Sequence, residues 1–195
     1  VVIGFGGMGS WHVNHALKSD VLELAGIYDI AEKRVEAAKA NGIHTYASLE
    51  ELVSDPKVDI VLCATPNDVH MELCVKALNA GKHVICEKPV TLSSEELQKI
   101  FDASARCGKL FTTHQNRRWD VDFLAIKSLI DSGEIGETIN IESRIHGSRG
   151  IPSDWRCHKP QGGGMVLDWG VHLLDQIMQM IDKKVVSVYS ELSYV

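Results

Sequence analysis

The sequence predicts an α/β protein: a doubly wound parallel sheet followed by the first part of an α+β domain with an open, mostly antiparallel sheet. Three observations predict it. From residue 1 to about residue 113, short β-branched apolar runs alternate with helix-like stretches, the rhythm of βαβ units. Residues 58–63 are continuously apolar, as expected of a strand covered on both faces. After His114 the rhythm changes, and residues 137–146 alternate apolar and polar side chains like a strand with one open face.

Each element has a local reason. Val1-Val2-Ile3 is a first strand, Gly4-Phe5-Gly6-Gly7-Met8-Gly9 a turn, and a helix begins near Gly7. Residues 22–28 read as a second strand that ends on an acid, Asp29. Residues 31–40, rich in Ala, Glu, Lys and Arg, read as a helix stopped by Asn41-Gly42. Ser48, with Glu51 three residues later, is a capping-box start for a short helix over 48–53. Strand 58–63, helix 69–80 ending at Gly81, strand 83–86, a helix capped by Ser93 or Ser94 and stopped by Gly108, and strand 110–113 complete the sheet. A domain boundary is expected near residues 115–121, giving residues 1–118 and 119–195 as the two domains. Beyond it, residues 121–132 and 166–181 read as helices and 184–194 as a strand, with a loop over 147–164. Two strands rarely make a stable sheet, so the second domain is expected to continue beyond residue 195, and the start of the first strand reads as clipped.

The first turn is G-x-G-x-x-G between a strand and a helix, with a carboxylate about twenty residues on, a dinucleotide-binding fingerprint. Gly4 permits the tight turn, Gly6 lets the backbone approach a pyrophosphate, and Gly9 lets the helix pack on the strand. The N–H groups of Phe5, Gly7 and Met8 lie at the positive end of that helix. Asp29 suits the two hydroxyls of an adenosine ribose and repels a 2′-phosphate, so NAD is expected rather than NADP. A glycine-rich turn without a ligand is the alternative; the strand–turn–helix–strand–acid order speaks against it.

Composition narrows the class. The chain has 195 residues, 45% hydrophobic and 24% charged, as in ordinary globular domains. A net charge of -6 gives nucleic-acid binding no electrostatic support. No apolar run reaches the length of a membrane span. Five cysteines without a C-x-x-C pair suggest reduced thiols and a cytoplasmic location, with Cys63 and Cys86 buried in apolar runs.

Chemistry is expected where strands end. Ligands of open α/β sheets bind at the carboxyl ends of the strands. There the sequence places the glycine turn, Asp29, Ala64-Thr65-Pro66-Asn67 and Glu87-Lys88-Pro89. A lysine ammonium polarises an alcohol or carbonyl oxygen; a strand-end lysine in water is the alternative. Asp168 and His172, four apart on a helix behind Gly162-Gly163-Gly164, share one face. Such a pair passes a proton, the acid fixing the imidazole tautomer. A surface pair, or a metal site completed by Cys157, His158 or His146, are the alternatives; the spacing matches no common zinc pattern, so no metal is expected. His70 either caps its helix or faces the nicotinamide, and Trp155-Arg156 either covers a ligand or lies in a mobile loop.

These motifs, in this order over nearly the whole chain, resemble the Gfo/Idh/MocA oxidoreductases. Gly4 to Gly9, Asp29, Ala64 to Asn67 with His70, Glu87-Lys88-Pro89, Asn116-Arg117-Arg118 and Asp168-x-Gly170-x-His172 carry the resemblance. It implies an N-terminal Rossmann domain, a C-terminal sheet that often forms the subunit interface, and a homodimer or homotetramer at full length. It also implies a catalytic trio of Lys88, Asp168 and His172, with the substrate held by these and by Asn116, Arg117 and Trp155. The expected activity is hydride transfer between NAD and a sugar, cyclitol or related polyol. A catalytically silent NAD sensor and an NAD-dependent glycoside hydrolase are the alternatives on the same fold. Roughly two-fifths of a typical member is expected to lie beyond residue 195.

Overall fold

The computed structural model describes residues 1–146 and 153–191. They divide into two compact units, Val1–Gln115 with Gly147–Val171, and Asn116–His146 with His172–Val195.

The first unit is built on a five-stranded parallel sheet in the order β2-β1-β3-β4-β5. The strands are β1 (Val2–Ile3), β2 (Ile27–Tyr28), β3 (Ile60–Cys63), β4 (His83–Cys86) and β5 (Phe111–Thr113). Outside β2 a parallel bridge joins Ile27 to Thr45. The Ile27 N–H donates to the His44 carbonyl and the Tyr46 N–H to the Ile27 carbonyl, each at 2.9 Å. This is the doubly wound dinucleotide-binding order with its third strand reduced to one residue. Only five residues separate Gly42, at φ 71°, from Ser48, the cap of the next helix, so no longer strand fits.

Alternate residues of each strand enter two cores, as a pleat requires. Ile3, Val61, Cys63, Val84 and Cys86 pack on Leu52 of α3 (Leu49–Ser54), on Cys74, Ala77 and Leu78 of α4 (His70–Asn79), and on Ile100 and Ala103 of α5 (Ser94–Cys107). Val2 and Ile27 face the other way, onto Val13 of α1 (Gly7–Ala16) and Ala38 of α2 (Glu32–Ala40). The caps follow the sequence. Ser48 accepts from the Glu51 N–H at 3.0 Å, Ser93 from the Glu96 N–H at 3.2 Å, and Gly108 ends α5 in the left-handed region.

Gly9 sets how closely α1 lies on β1: a Cβ there falls 1.7 Å from the Gly4 carbonyl oxygen. Backbone cannot yield as a side chain does, so Gly9→Ala is expected to cost about 1–3 kcal/mol or more and to lower the thermal midpoint by several degrees. An unchanged midpoint would show that α1 shifts freely.

β2 is shorter than the sequence suggests, because a strand extends only as far as its ladder and β1 offers two residues. In the second unit, α6 (Val121–Ser132) forms as expected and Gly133 stops it at φ 75°. The expected helix over 166–181 is a π-helical turn, Val166–Gly170, followed by α7 (Val171–Met180). Arg118 forks onto Asp175 of α7 at 2.8 and 2.6 Å, and Gln176 donates to the Arg117 carbonyl at 2.8 Å. The strands expected at 137–146 and 184–194 are not formed among the described residues, and 192–194 lie outside them. Alternation marks side chains that suit a pleated surface; it does not supply the neighbouring backbone a ladder needs. Ile139, Val186, Val188 and Tyr189 are accordingly exposed. No helix among the described residues is long and apolar enough to cross a membrane.

Candidate active site

Within the first unit, the carboxyl ends of the strands bring most of the expected cofactor residues together. Gly4, at φ 89°, donates its N–H to the Tyr28 carbonyl at 2.8 Å, and a Cβ on it would lie 2.6 Å from the Ala64 carbonyl oxygen. The turn is thus wedged between β2 and β3, at the point where strand order reverses. Above it the backbone is open: a Cβ on Gly7 meets nothing within 4 Å, and one on Gly6 meets only the Arg34 guanidinium at 3.6 Å. Nearby, the Thr65 hydroxyl after β3 is buried without a hydrogen-bond partner. An open glycine cradle at a helix N-terminus, beside an unsatisfied hydroxyl, fits a dinucleotide phosphate.

Asp29 is less open than the sequence suggests. Its side chain is 2% exposed. Oδ2 accepts from the Phe5 N–H at 2.6 Å and from Arg34 at 3.3 Å, and Oδ1 accepts from the Ala31 N–H at 2.8 Å. A ribose reaches this carboxylate only if Arg34 moves aside, and the half-exposed Arg34 side chain is free to do so. Arg34 was not singled out from the sequence; its place five residues after Asp29 is the signal.

His70, expected as a cofactor contact, is instead a brace. It is fully buried, with Nδ1 3.0 Å from the Pro89 carbonyl and Nε2 2.9 Å from the Thr65 carbonyl. Asn67, also expected at the cofactor, is 3% exposed and donates its amide to the Gly162 carbonyl at 3.1 Å. Glu87 is 5% exposed, its carboxylate engaged by His12 and His114 rather than open to a ligand. Burial pushes the Glu87 carboxyl up, but the hydrogen bonds from His114 and His12 outweigh it and hold the group down at about 2.

Lys88 and Asp168, eighty residues apart, meet. The Lys88 ammonium donates to the Asp168 carboxylate at 3.1 Å and to the Asp168 carbonyl at 2.6 Å. Arg156 reaches the same Oδ1 at 3.4 Å, its guanidinium carbon 4.5 Å from the centre of the Trp155 ring. Burial raises the affinity of the Asp168 carboxyl for its proton, yet Lys88 and then Arg156 outweigh that and hold it below the ordinary range. The group is therefore ionised at neutral pH. Asp168 itself lies in the π-helical turn. Such a turn bonds one residue further along than an α-helix.

The three glycines before it are only partly what the sequence implies. A Cβ on Gly162 would strike Leu92 at 2.4 Å, and one on Gly163 the Arg156 carbonyl oxygen at 2.3 Å. Those two serve packing. Gly164, at φ 109°, faces open space. In the second unit His172 is 4% exposed near the start of α7, and Asn116 and Arg117 lie in the 3₁₀ turn Asn116–Trp119.

Residues 1–115 match the family model described as an oxidoreductase family with an NAD-binding Rossmann fold, and residues 123–195 match the C-terminal domain model of GFO/IDH/MocA proteins. The chain belongs to the Gfo/Idh/MocA oxidoreductase family. An NAD-binding protein from Listeria innocua, of known crystal structure, is 55% identical with a TM-score of 0.90, over 93% of this chain and 54% of that one. An uncharacterized oxidoreductase of Schizosaccharomyces pombe is 39% identical over 79% of this chain and 44% of its own length. A scyllo-inositol 2-dehydrogenase (NADP(+)) of Bacillus subtilis is 34% identical over 92% of this chain and 50% of its own. The chain thus spans about half the length of the curated relatives it matches. The parallel sheet seen here agrees with the Rossmann fold that the family description gives for residues 1–115.

Proposed function

We propose that this chain is the cofactor-binding and catalytic portion of an NAD-dependent dehydrogenase that acts on a CH–OH group of a sugar, cyclitol or related polyol. The observation that carries the reading is Lys88 held on Asp168 at the carboxyl end of β4, in the same unit as an open glycine cradle at the carboxyl end of β1. The kinship with an inositol dehydrogenase supports the polyol class. Asp168 orients the Lys88 ammonium, which stabilises the oxyanion that develops on the substrate oxygen. His172 takes the hydroxyl proton. Bound NAD supplies the hydride acceptor. Asn116, Arg117 and Trp155 hold the rest of the polyol, and the full-length protein acts as a homo-oligomer.

The test is a panel of sugars and inositols offered to the full-length protein with each cofactor, followed at the absorbance of the reduced nicotinamide. Polyol-dependent reduction supports the reading. NAD binding without turnover would mark a silent sensor, and free sugar released without net reduction would mark a hydrolase. Of the two cofactors NAD is proposed as the preferred one, because a 2′-phosphate would meet the Asp29 carboxylate. Asp29→Ala is expected to narrow the preference, and Arg34→Ala to weaken NADP more than NAD, since the guanidinium is the cation a 2′-phosphate would meet. Equal affinities of the unaltered protein for both cofactors would sink this assignment.

A further inference from the structure

Three side chains from three elements converge in the first unit: His12 from α1, Glu87 after β4 and His114 after β5. The His12 Nε2 lies 2.6 Å and the His114 Nδ1 3.0 Å from the same oxygen, Glu87 Oε1. The two rings meet edge to face with centroids 4.5 Å apart. His12 is 8% and Glu87 5% exposed, and the His114 side chain is 26% exposed. The other Glu87 oxygen takes the Lys88 N–H at 3.3 Å. Neither histidine has a part in the reaction proposed above.

We propose that His12, Glu87 and His114 form a binding site for a divalent transition-metal ion of the zinc class. Two imidazole nitrogens and a carboxylate oxygen are the donor set of three-ligand zinc sites, with a fourth position left open. The ligand atoms lie within 4.8 Å of one another, the one such group of three among the described residues. Donors on a tetrahedral zinc stand about 3.3 Å apart at bond lengths of about 2.0–2.1 Å. Opening the 2.6 Å His12 contact by about 0.7 Å and the 3.0 Å His114 contact by about 0.3 Å, through side-chain rotation, makes room for the ion. Each imidazole then offers its facing nitrogen as a lone pair and keeps its hydrogen on the other. Charge points the same way. The ion-pair partners of the buried Glu87 carboxylate among the described residues are both imidazoles, which carry no permanent charge. A divalent ion supplies the positive charge that a buried carboxylate calls for. The donors sit on a helix, at the end of a central strand and at the end of a neighbouring strand, so the backbone fixes their spacing. The Lys88 N–H orients the carboxylate from behind, as outer partners do in metal sites.

The test uses full-length protein stripped with a chelator, dialysed, and titrated with zinc chloride by calorimetry and with cobalt chloride by visible absorption. The expected result is one ion per chain, with the intense cobalt bands of a four-coordinate site. His114→Gln and His12→Gln should each weaken binding at least about a hundredfold, more than the loss of an outer-shell partner. Thermal melting of each variant checks that it folds; His114, the more exposed, is the safer change. Cys157→Ser serves as a control, because that thiol is exposed and is none of the three proposed ligands. No binding to the unaltered protein would show a hydrogen-bonded cluster and overturn the proposal. So would binding that survives both histidine changes or falls with Cys157→Ser alone.

Discussion

Lys88→Ala should lower the turnover of the full-length enzyme by a factor of about a hundred or more, the usual cost of removing one electrostatic donor from a developing oxyanion. Two contacts hold the ammonium, to the Asp168 carboxylate and to its backbone carbonyl. Cofactor affinity should change far less, because the glycine turn lies on β1 and keeps its own hydrogen bonds. Lys88→Arg should not restore the rate: a planar guanidinium does not replace a compact ammonium held by one carboxylate oxygen and one carbonyl. Near-normal turnover in the alanine variant would remove Lys88 from the mechanism.

His172→Asn should abolish most of the rate, by a factor of about 10²–10⁴, the range of a lost general base. The unaltered enzyme should oxidise its substrate faster as pH rises through the range where an imidazole gives up its proton, because only the neutral ring accepts one. The variant should lose that limb. Asp168 does not blur the profile. Its folded-state carboxyl titrates below the ordinary range. The stabilisation it contributes is therefore present above the unfolded carboxylate value and is lost only as pH falls through the lowered one. A retained pH limb in His172→Asn would assign the base elsewhere.

Much of the fold was legible because its signals are short-range. The glycine turn, the Ser48 and Ser93 caps, the Gly108 stop and the continuous run into Cys63 each depend on neighbours within a few residues. So did the placing of Lys88 at a strand end. What escaped depends on residues far apart in sequence. Asn67 finds its partner in the carbonyl of Gly162, ninety-five residues on. The clash that forbids a side chain at Gly162 comes from Leu92, and the brace on His70 from Pro89. His12 and His114 gain meaning only when α1 and the end of β5 meet at Glu87; the rule that strand ends converge would have flagged His114 but not His12. The alternating residues of the second unit show the complementary failure, a clear pattern with no ladder behind it.

The first unit is interrupted in sequence: Val1–Gln115 is completed by Gly147–Val171, with residues 116–146 belonging elsewhere. This has a consequence for the order in which a newly made chain matures. The sheet and its two cores draw on residues up to Thr113 and can assemble as soon as that stretch has left the ribosome. Lys88 at that moment has no carboxylate beside it. Asp168, Arg156 and the carbonyl of Gly162 that receives Asn67 all arrive later, after an intervening segment has been synthesised. The scaffold thus precedes its chemistry, and a nascent chain released early would carry a formed sheet with an unarmed lysine.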